Sequence, residues 1–148
     1  MTRIGLLLCV FLLPGCALSG PKSISPEPAG LEAESDNIRI HIDKLPDRTH
    51  VRPYGDADNP RPWYIAAEAL GQIGKPAVPA LIERLDTQDP YELKLVLYAL
   101  MLASQDPALQ AATGGDYLRL GTVLTESSND ENLYLARDWW QRHRHLWR

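Results

Sequence analysis

The stretch Ala66–Leu85, AAEALGQIGKPAVPALIERL, constrains the fold more than any other part of the chain. Apolar side chains fall at Ala66, Ala69, Leu70 and Ile73, and again at Val78, Leu81, Ile82 and Leu85, each set with the i, i+3, i+4, i+7 spacing of one helix face. Two such faces in succession call for two helices packed on each other. Gly74-Lys75-Pro76 lies between them. Glycine takes the positive-φ conformation that stops a helix, and proline fits the first turn of the next, where no amide donor is needed. These residues specify an antiparallel helical hairpin.

The pattern extends both ways. Ile38, Ile40 and Ile42 alternate with polar residues as an exposed strand would, but no partner strand is obvious. Ile38…Ile42-Asp43-Lys44-Leu45 instead lies over Val78…Ile82-Glu83-Arg84-Leu85, 40 residues later, within the usual period of a helical repeat array. The stretch is read as a helix with Ile38, Ile42 and Leu45 on one face. Downstream, Asp89-Pro90-Tyr91-Glu92 is a helix start with a cap, an N1 proline and a capping-box carboxylate. Leu93, Val96, Leu97 and Leu100 form its face, widened by Leu95, Tyr98, Met101 and Leu102, so this helix is expected in the middle of the stack. Gln105–Gly115 reads as an insertion, and Asp116–Glu126, with Tyr117, Leu120, Gly121 and Leu124, as the next helix. Ser128 and Glu131 have capping-box spacing and open a last helix carrying Leu133, Leu135, Ala136, Trp139, Trp140, Leu146 and Trp147.

Ala66-Ala67-Glu68-Ala69-Leu70-Gly71-Gln72-Ile73-Gly74 followed by Ala77-Val78-Pro79-Ala80-Leu81-Ile82 resembles a bacterial HEAT or HEAT-like repeat. The resemblance implies an all-α fold, a short α-solenoid of antiparallel helix pairs whose second helices line a concave binding surface, and binding more than catalysis. On this reading 36–45 is a degraded first repeat, 46–62 a long loop, 63–86 the best repeat, 89–126 a diverged repeat and 129–148 a Trp-rich C-terminal capping helix, all within one domain, 36–148.

Arg3 followed by the apolar run Ile4–Leu13 has the proportions of a signal peptide and is too short to span a bilayer permanently. The run ends in Leu13-Pro14-Gly15-Cys16, which resembles a bacterial lipobox; an ordinary signal peptide or an uncleaved anchor are the alternatives. The expectation is a signal peptide at 1–15, lipidation at Cys16, and a Pro- and Ser-rich tether over 16–35. Acyl chains on Cys16 would attach the protein to a membrane without a transmembrane helix. Ala17 in place of Asp resembles the sorting pattern of outer-membrane lipoproteins, so the expected location is the periplasmic side of a bacterial envelope, at the outer membrane. Cys9 falls inside the signal, which leaves the exported domain without a thiol nucleophile or thiolate metal site.

Little in the chain suggests catalysis. A net charge of −4 over 148 residues argues against nucleic acid. His143 and His145 lie two residues apart and point to nearly opposite sides of a helix, so they are expected solvated or interfacial, not chelating. Asp56 and Asp58 lack the ligand series of a calcium loop, and no catalytic, cofactor or metal residue is nominated. The carboxylates all read as helix caps or solvated faces. The candidate partner-binding residues are Arg48, Arg52 and Tyr54 of the long loop, and Arg84 and Arg119 on the expected second-helix surfaces. The long loop reads either as a solvated connection or as a recognition surface, also drawing on His50 and Arg61. The terminal Trp residues read either as a platform with Arg137, Arg142 and Arg144, or as closure of an open end. The leading functional expectation is a non-enzymatic, membrane-tethered module that binds a protein partner, in envelope assembly or toxin immunity. The alternative is an enzyme or enzyme accessory, by similarity to phycobilisome-lyase HEAT-like proteins.

Overall fold

The computed structural model describes residues 29–148, and these form a mostly helical fold. The expected signal peptide, Cys16 and most of the tether lie outside the described residues. Helix α1, Ala29–Lys44, begins well before Asp36, so Ala29–Ser35 is helix and not tether. Its sequence AGLEAES is rich in strong helix formers, and an Arg39–Asp36 pair at 3.0 Å supports the next turn. Ile38 and Leu45 are buried and Ile40 is exposed, as the helical reading of this stretch requires.

The central hairpin forms as its punctuation demands. Helix α2 is Ile65–Ile73, a single 3₁₀ turn covers Lys75–Ala77, and α3 is Val78–Arg84. Gly74 has φ +76° and ψ −134°, a region open to glycine and costly for any other residue. Helix α4, Pro90–Ala103, packs on α2, α3 and the last helix α6, Asn129–His143, and so is the middle element. Leu70, Val78, Leu81, Val96, Leu97, Leu100 and Trp139 are essentially fully buried and join these helices into one core.

Gly71 sets how closely α2 and α4 approach. A Cβ added there would sit 2.5 Å from Leu102 Cβ, an atom fixed to its own backbone that cannot rotate away. Alanine gains about 1 kcal/mol of helix propensity over glycine, but overpacking costs about 1–3 kcal/mol. The contact is short enough for the second effect to win. Gly71→Ala is therefore expected to lower the melting temperature by several degrees in a circular-dichroism melt, and a raised one would contradict this packing.

Three connections differ from their sequence reading. The long loop contains an antiparallel hairpin, β1 Val51–Tyr54 and β2 Arg61–Tyr64. The expected insertion contains a short helix, α5 Pro107–Thr113, capped by Asp106, which accepts from Ala108 N at 2.8 Å. The other oxygen of the same carboxylate accepts from Lys75 N at 2.8 Å, tying α5 to the central turn. The Lys75 amide, and after it the amides of Ala108 and Leu109, hold Asp106 below the usual carboxylate range.

The third difference is Asp116–Glu126, expected as a helix, which is irregular up to Thr125 and meets a 3₁₀ turn, Glu126–Ser128, only at its last residue. Gly114 and Gly115 both have positive φ, and so does Leu124. The backbone here is satisfied by side chains in place of a helical ladder. Asn132 accepts from Gly121 N and donates to Thr122 O, buried Ser104 accepts from Leu118 N, and Thr113 donates to Asp116 O. Gly121 consequently faces Glu131 across a loop and does not serve a helix crossing.

Past α6 the chain makes a 3₁₀ turn, Arg144–Trp147, and folds back. Trp147 Nε1 donates to Lys75 O at 3.2 Å, and its ring lies 5.1 Å from Trp140 and 6.2 Å from Trp139. Of the arginines expected to join a Trp platform, Arg137 pairs with Asp86 and Arg142 with Asp116 and Asp138. No helix among the described residues is long and apolar enough to cross a membrane.

Candidate functional site

The β1–β2 hairpin is built from two copies of one tripeptide pattern, Arg52-Pro53-Tyr54 and Arg61-Pro62-Trp63. A residue before proline is pushed out of the α region into extended conformation, which accounts for strands at Arg52 and Arg61 in a chain otherwise dominated by helix. The register pairs Arg52 with Trp63, Pro53 with Pro62 and Tyr54 with Arg61, so the two tripeptides run antiparallel about an approximate twofold axis through the prolines. Proline has no amide to donate, so the Pro53–Pro62 pair takes a non-hydrogen-bonded place, and the ladder bonds fall to the pairs on either side. Gly55, at φ +93°, and a turn bond from Asn59 N to Asp56 O close the far end.

Residues paired across a ribbon share a face, as do residues two apart along a strand. Arg52, Tyr54, Arg61 and Trp63 therefore lie together on one face. All four are exposed, Tyr54 at 46% and Trp63 at 39%, and the two rings meet edge-on at 5.8 Å. At the base Val51 and Tyr64 are half-buried, Tyr64 meets Tyr91 of α4 at 6.4 Å, and β2 runs straight into α2. The exposed face is thus mounted directly on the central helix pair.

Of the five arginine and tyrosine candidates, the structure brings only Arg52 and Tyr54 onto this face. Arg48 is at its foot, where it donates twice to the Asp89 carboxylate, at 2.9 and 3.2 Å, and stacks 4.6 Å over the Tyr91 ring. Lys94 covers Tyr91 as well, at 4.7 Å. Burial alone would raise Asp89, but the Arg48 guanidinium and the Tyr91 amide outweigh it and hold this cap carboxylate below its usual range. Arg84 is committed to the core edge, with Nε 2.5 Å from Glu92 Oε1. Glu92 is only 3% exposed, contrary to the expectation that the carboxylates are caps or solvated, and it also accepts from the Thr87 hydroxyl. It therefore does not reach back as a capping-box carboxylate; Asp89 N donates to Thr87 Oγ1 instead. Arg119 lies in the irregular segment, 4.5 Å over its neighbour Tyr117.

Arg61, which the sequence reading draws into a recognition surface, and Trp63, which it passes over, complete the face. The signal for Trp63 is the repeated Arg-Pro-aromatic spacing, which gains meaning only when its two copies are set antiparallel.

One other polar cluster acts as a fastener. Asp116 accepts from Arg142 and from His143, the latter at 2.7 Å, and the His143 side chain is only 12% exposed against the Trp139 ring. His143 is therefore half-buried at the seam between α6 and the segment after α5, the interfacial of its two expected settings. Burial would raise Asp116, but the hydrogen bonds from His143 and Arg142 win and keep it ionised below the usual range. The cluster clasps α6 to the segment after α5. A groove of about 510 Å³ between the α4 and α6 N-termini is lined by Leu85, Pro90, Leu93, Asn129 and Leu133; of its charged lining residues, Arg137 and Asp86 pair with each other, Glu126 pairs with Lys94, and Asp130 is in no ion pair among the described residues.

Among known proteins, residues 64–87 match the family described as PBS lyase HEAT-like repeat. No curated protein and no solved structure matches the chain. The matched segment spans α2, the Gly74-Lys75 turn and α3, so the chain carries a HEAT-like repeat at residues 64–87.

Proposed function

We propose that the protein is a non-enzymatic interaction module. In this reading a short α-solenoid, built on the HEAT-like pair and closed at its C-terminal end by the Trp-bearing α6, is tethered by lipid on Cys16 to the periplasmic side of a bacterial outer membrane. There it holds a protein partner, with envelope assembly and toxin immunity as the two contexts that fit a tethered binder. The observation that carries the reading is the hairpin face, where Arg52, Tyr54, Arg61 and Trp63 stand exposed on a base fixed to the repeat. Trp, Tyr and Arg are the residue types that dominate binding hot spots, and a rigid mount limits the ordering cost of using them. The burial of Trp139 and the return of Trp147 to Lys75 support closure of the stack end over a ligand platform.

The test is photo-crosslinking in cells, with a photoreactive residue at position 63 of the full chain. The expected result is a discrete adduct in the membrane fraction, and release of the chain from that fraction, with loss of labelled palmitate, on Cys16→Ala. No adduct at position 63, or palmitate labelling that persists without Cys16, overturns the corresponding half of the reading.

A further inference from the structure

We propose that the hairpin face is a receptor for an acidic segment of the partner protein, two carboxylates of which seat on Arg52 and Arg61. The inference rests on the interaction reading above and names the chemistry of its partner.

The first support is charge. Arg39, Arg48, Arg84, Arg137 and Arg142 have carboxylate partners, whereas Arg52 and Arg61, like Arg119, Arg144 and Arg148, form no ion pair among the described residues, and of these five only Arg52 and Arg61 share a ribbon face. Two guanidiniums on one ribbon face make that face cationic in a chain of net charge −4, while Asp56 and Asp58, which balance them in the sequence of the hairpin, lie beyond the paired residues at its tip. Charge complementarity therefore selects an acidic partner and disfavours a basic one.

Geometry narrows the partner further. Arg52 and Arg61 lie on one diagonal of the cross-strand square, and Tyr54 and Trp63 on the other. Diagonal neighbours in an antiparallel ribbon are about 7–8 Å apart. Carboxylates on alternate residues of an extended segment are separated by about 6–7 Å and point the same way, so an acidic-x-acidic stretch crossing the ribbon matches both cations. The CH₂ stems of glutamates would then lie over the Tyr54–Trp63 pair, where glutamate has more apolar contact to offer than aspartate.

The prolines decide the mode of binding. A peptide that adds itself as a third strand needs outward amides along the edge, and Pro53 and Pro62 remove one from each edge at its centre. Recognition is left to the side-chain face.

The test is selection of a displayed random dodecapeptide library on the immobilised full chain in detergent micelles. The expected winners are enriched in Glu-x-Glu and related acidic spacings. They lose at least about tenfold in affinity with either Arg52→Ala or Arg61→Ala, and more with both reversed to Glu. Because both side chains are exposed, melting of the variants should shift by no more than a few degrees, and Arg→Gln versions give the same reading should a reversal disturb the hairpin. Winners without acidic enrichment, or winners indifferent to both arginines, overturn the proposal. If such winners still bind and depend on another surface, the interaction module survives and only this assignment fails; a selection that retains no binder overturns both. A dimer in gel filtration dissolved by the double reversal assigns the face to a second copy, and arginine-dependent binding to phosphatidylglycerol vesicles assigns it to a membrane. Either result overturns the acidic-segment assignment.

Discussion

Reversing Arg84 to Glu is expected to unfold much of the protein. Glu92 is 3% exposed, and its charge is held by the Arg84 guanidinium and the Thr87 hydroxyl. Breaking a buried ion pair by removing one partner costs about 3–5 kcal/mol, because the charge left behind has no water to turn to. Arg84 is partly exposed, at 42% of its side chain, so its own release to solvent costs little, and the penalty falls on Glu92. A second carboxylate beside Glu92 adds repulsion. Against a total stability of about 5–15 kcal/mol for a domain, the expected outcome is a strongly lowered or absent transition in a denaturant melt. Arg84→Glu paired with Glu92→Leu should recover part of the loss, since an apolar replacement removes the buried charge.

Leu97→Asp is expected to be at least as severe. Leu97 is 1% exposed on α4, the helix that packs against α2, α3 and α6 together. The change forfeits about 1.5–3 kcal/mol of apolar burial and places a carboxylate where desolvation costs several kcal/mol more. Leu97→Ala separates the two effects, with a cavity cost of about 2–5 kcal/mol and a transition that survives at lower temperature. An unchanged melt of Leu97→Asp would place α4 at the surface.

The helices were legible because a buried face repeats every 3.6 residues whatever it packs against. Leu93, Val96, Leu97 and Leu100 announce α4, and the Gly74 punctuation announces the central turn. Asp116–Glu126 shows the limit of that signal. Its apolar spacing is helical, but its backbone partners are side chains of Ser104 and Asn132, whose role no local pattern reveals. The partner of His143 escapes for the same reason, since Asp116 is 27 positions away.

The candidate site was half legible. Composition marks Arg48, Arg52, Tyr54 and Arg84 as exposed polar residues alike, yet two of them are fasteners. Arg48 is fixed to Asp89 and Tyr91, and Arg84 to Glu92 across the Leu85–Pro90 connection. What distinguishes Arg52 and Tyr54 is register. Only the antiparallel setting of Arg-Pro-Tyr on Arg-Pro-Trp places them with Arg61 and Trp63 on one face and turns two prolines into edge blocks.

The central claim is therefore a division of labour among arginines, with Arg84 holding the fold and Arg52 and Arg61 facing a partner. The most direct measurement is a side-by-side thermal melt of Arg84→Glu and of the Arg52→Glu/Arg61→Glu double variant. The account predicts a collapse of the first transition and a shift of no more than a few degrees in the second, the scale of about 0.5–1 kcal/mol at the surface. An intact Arg84→Glu transition beside an unfolded double variant would contradict it.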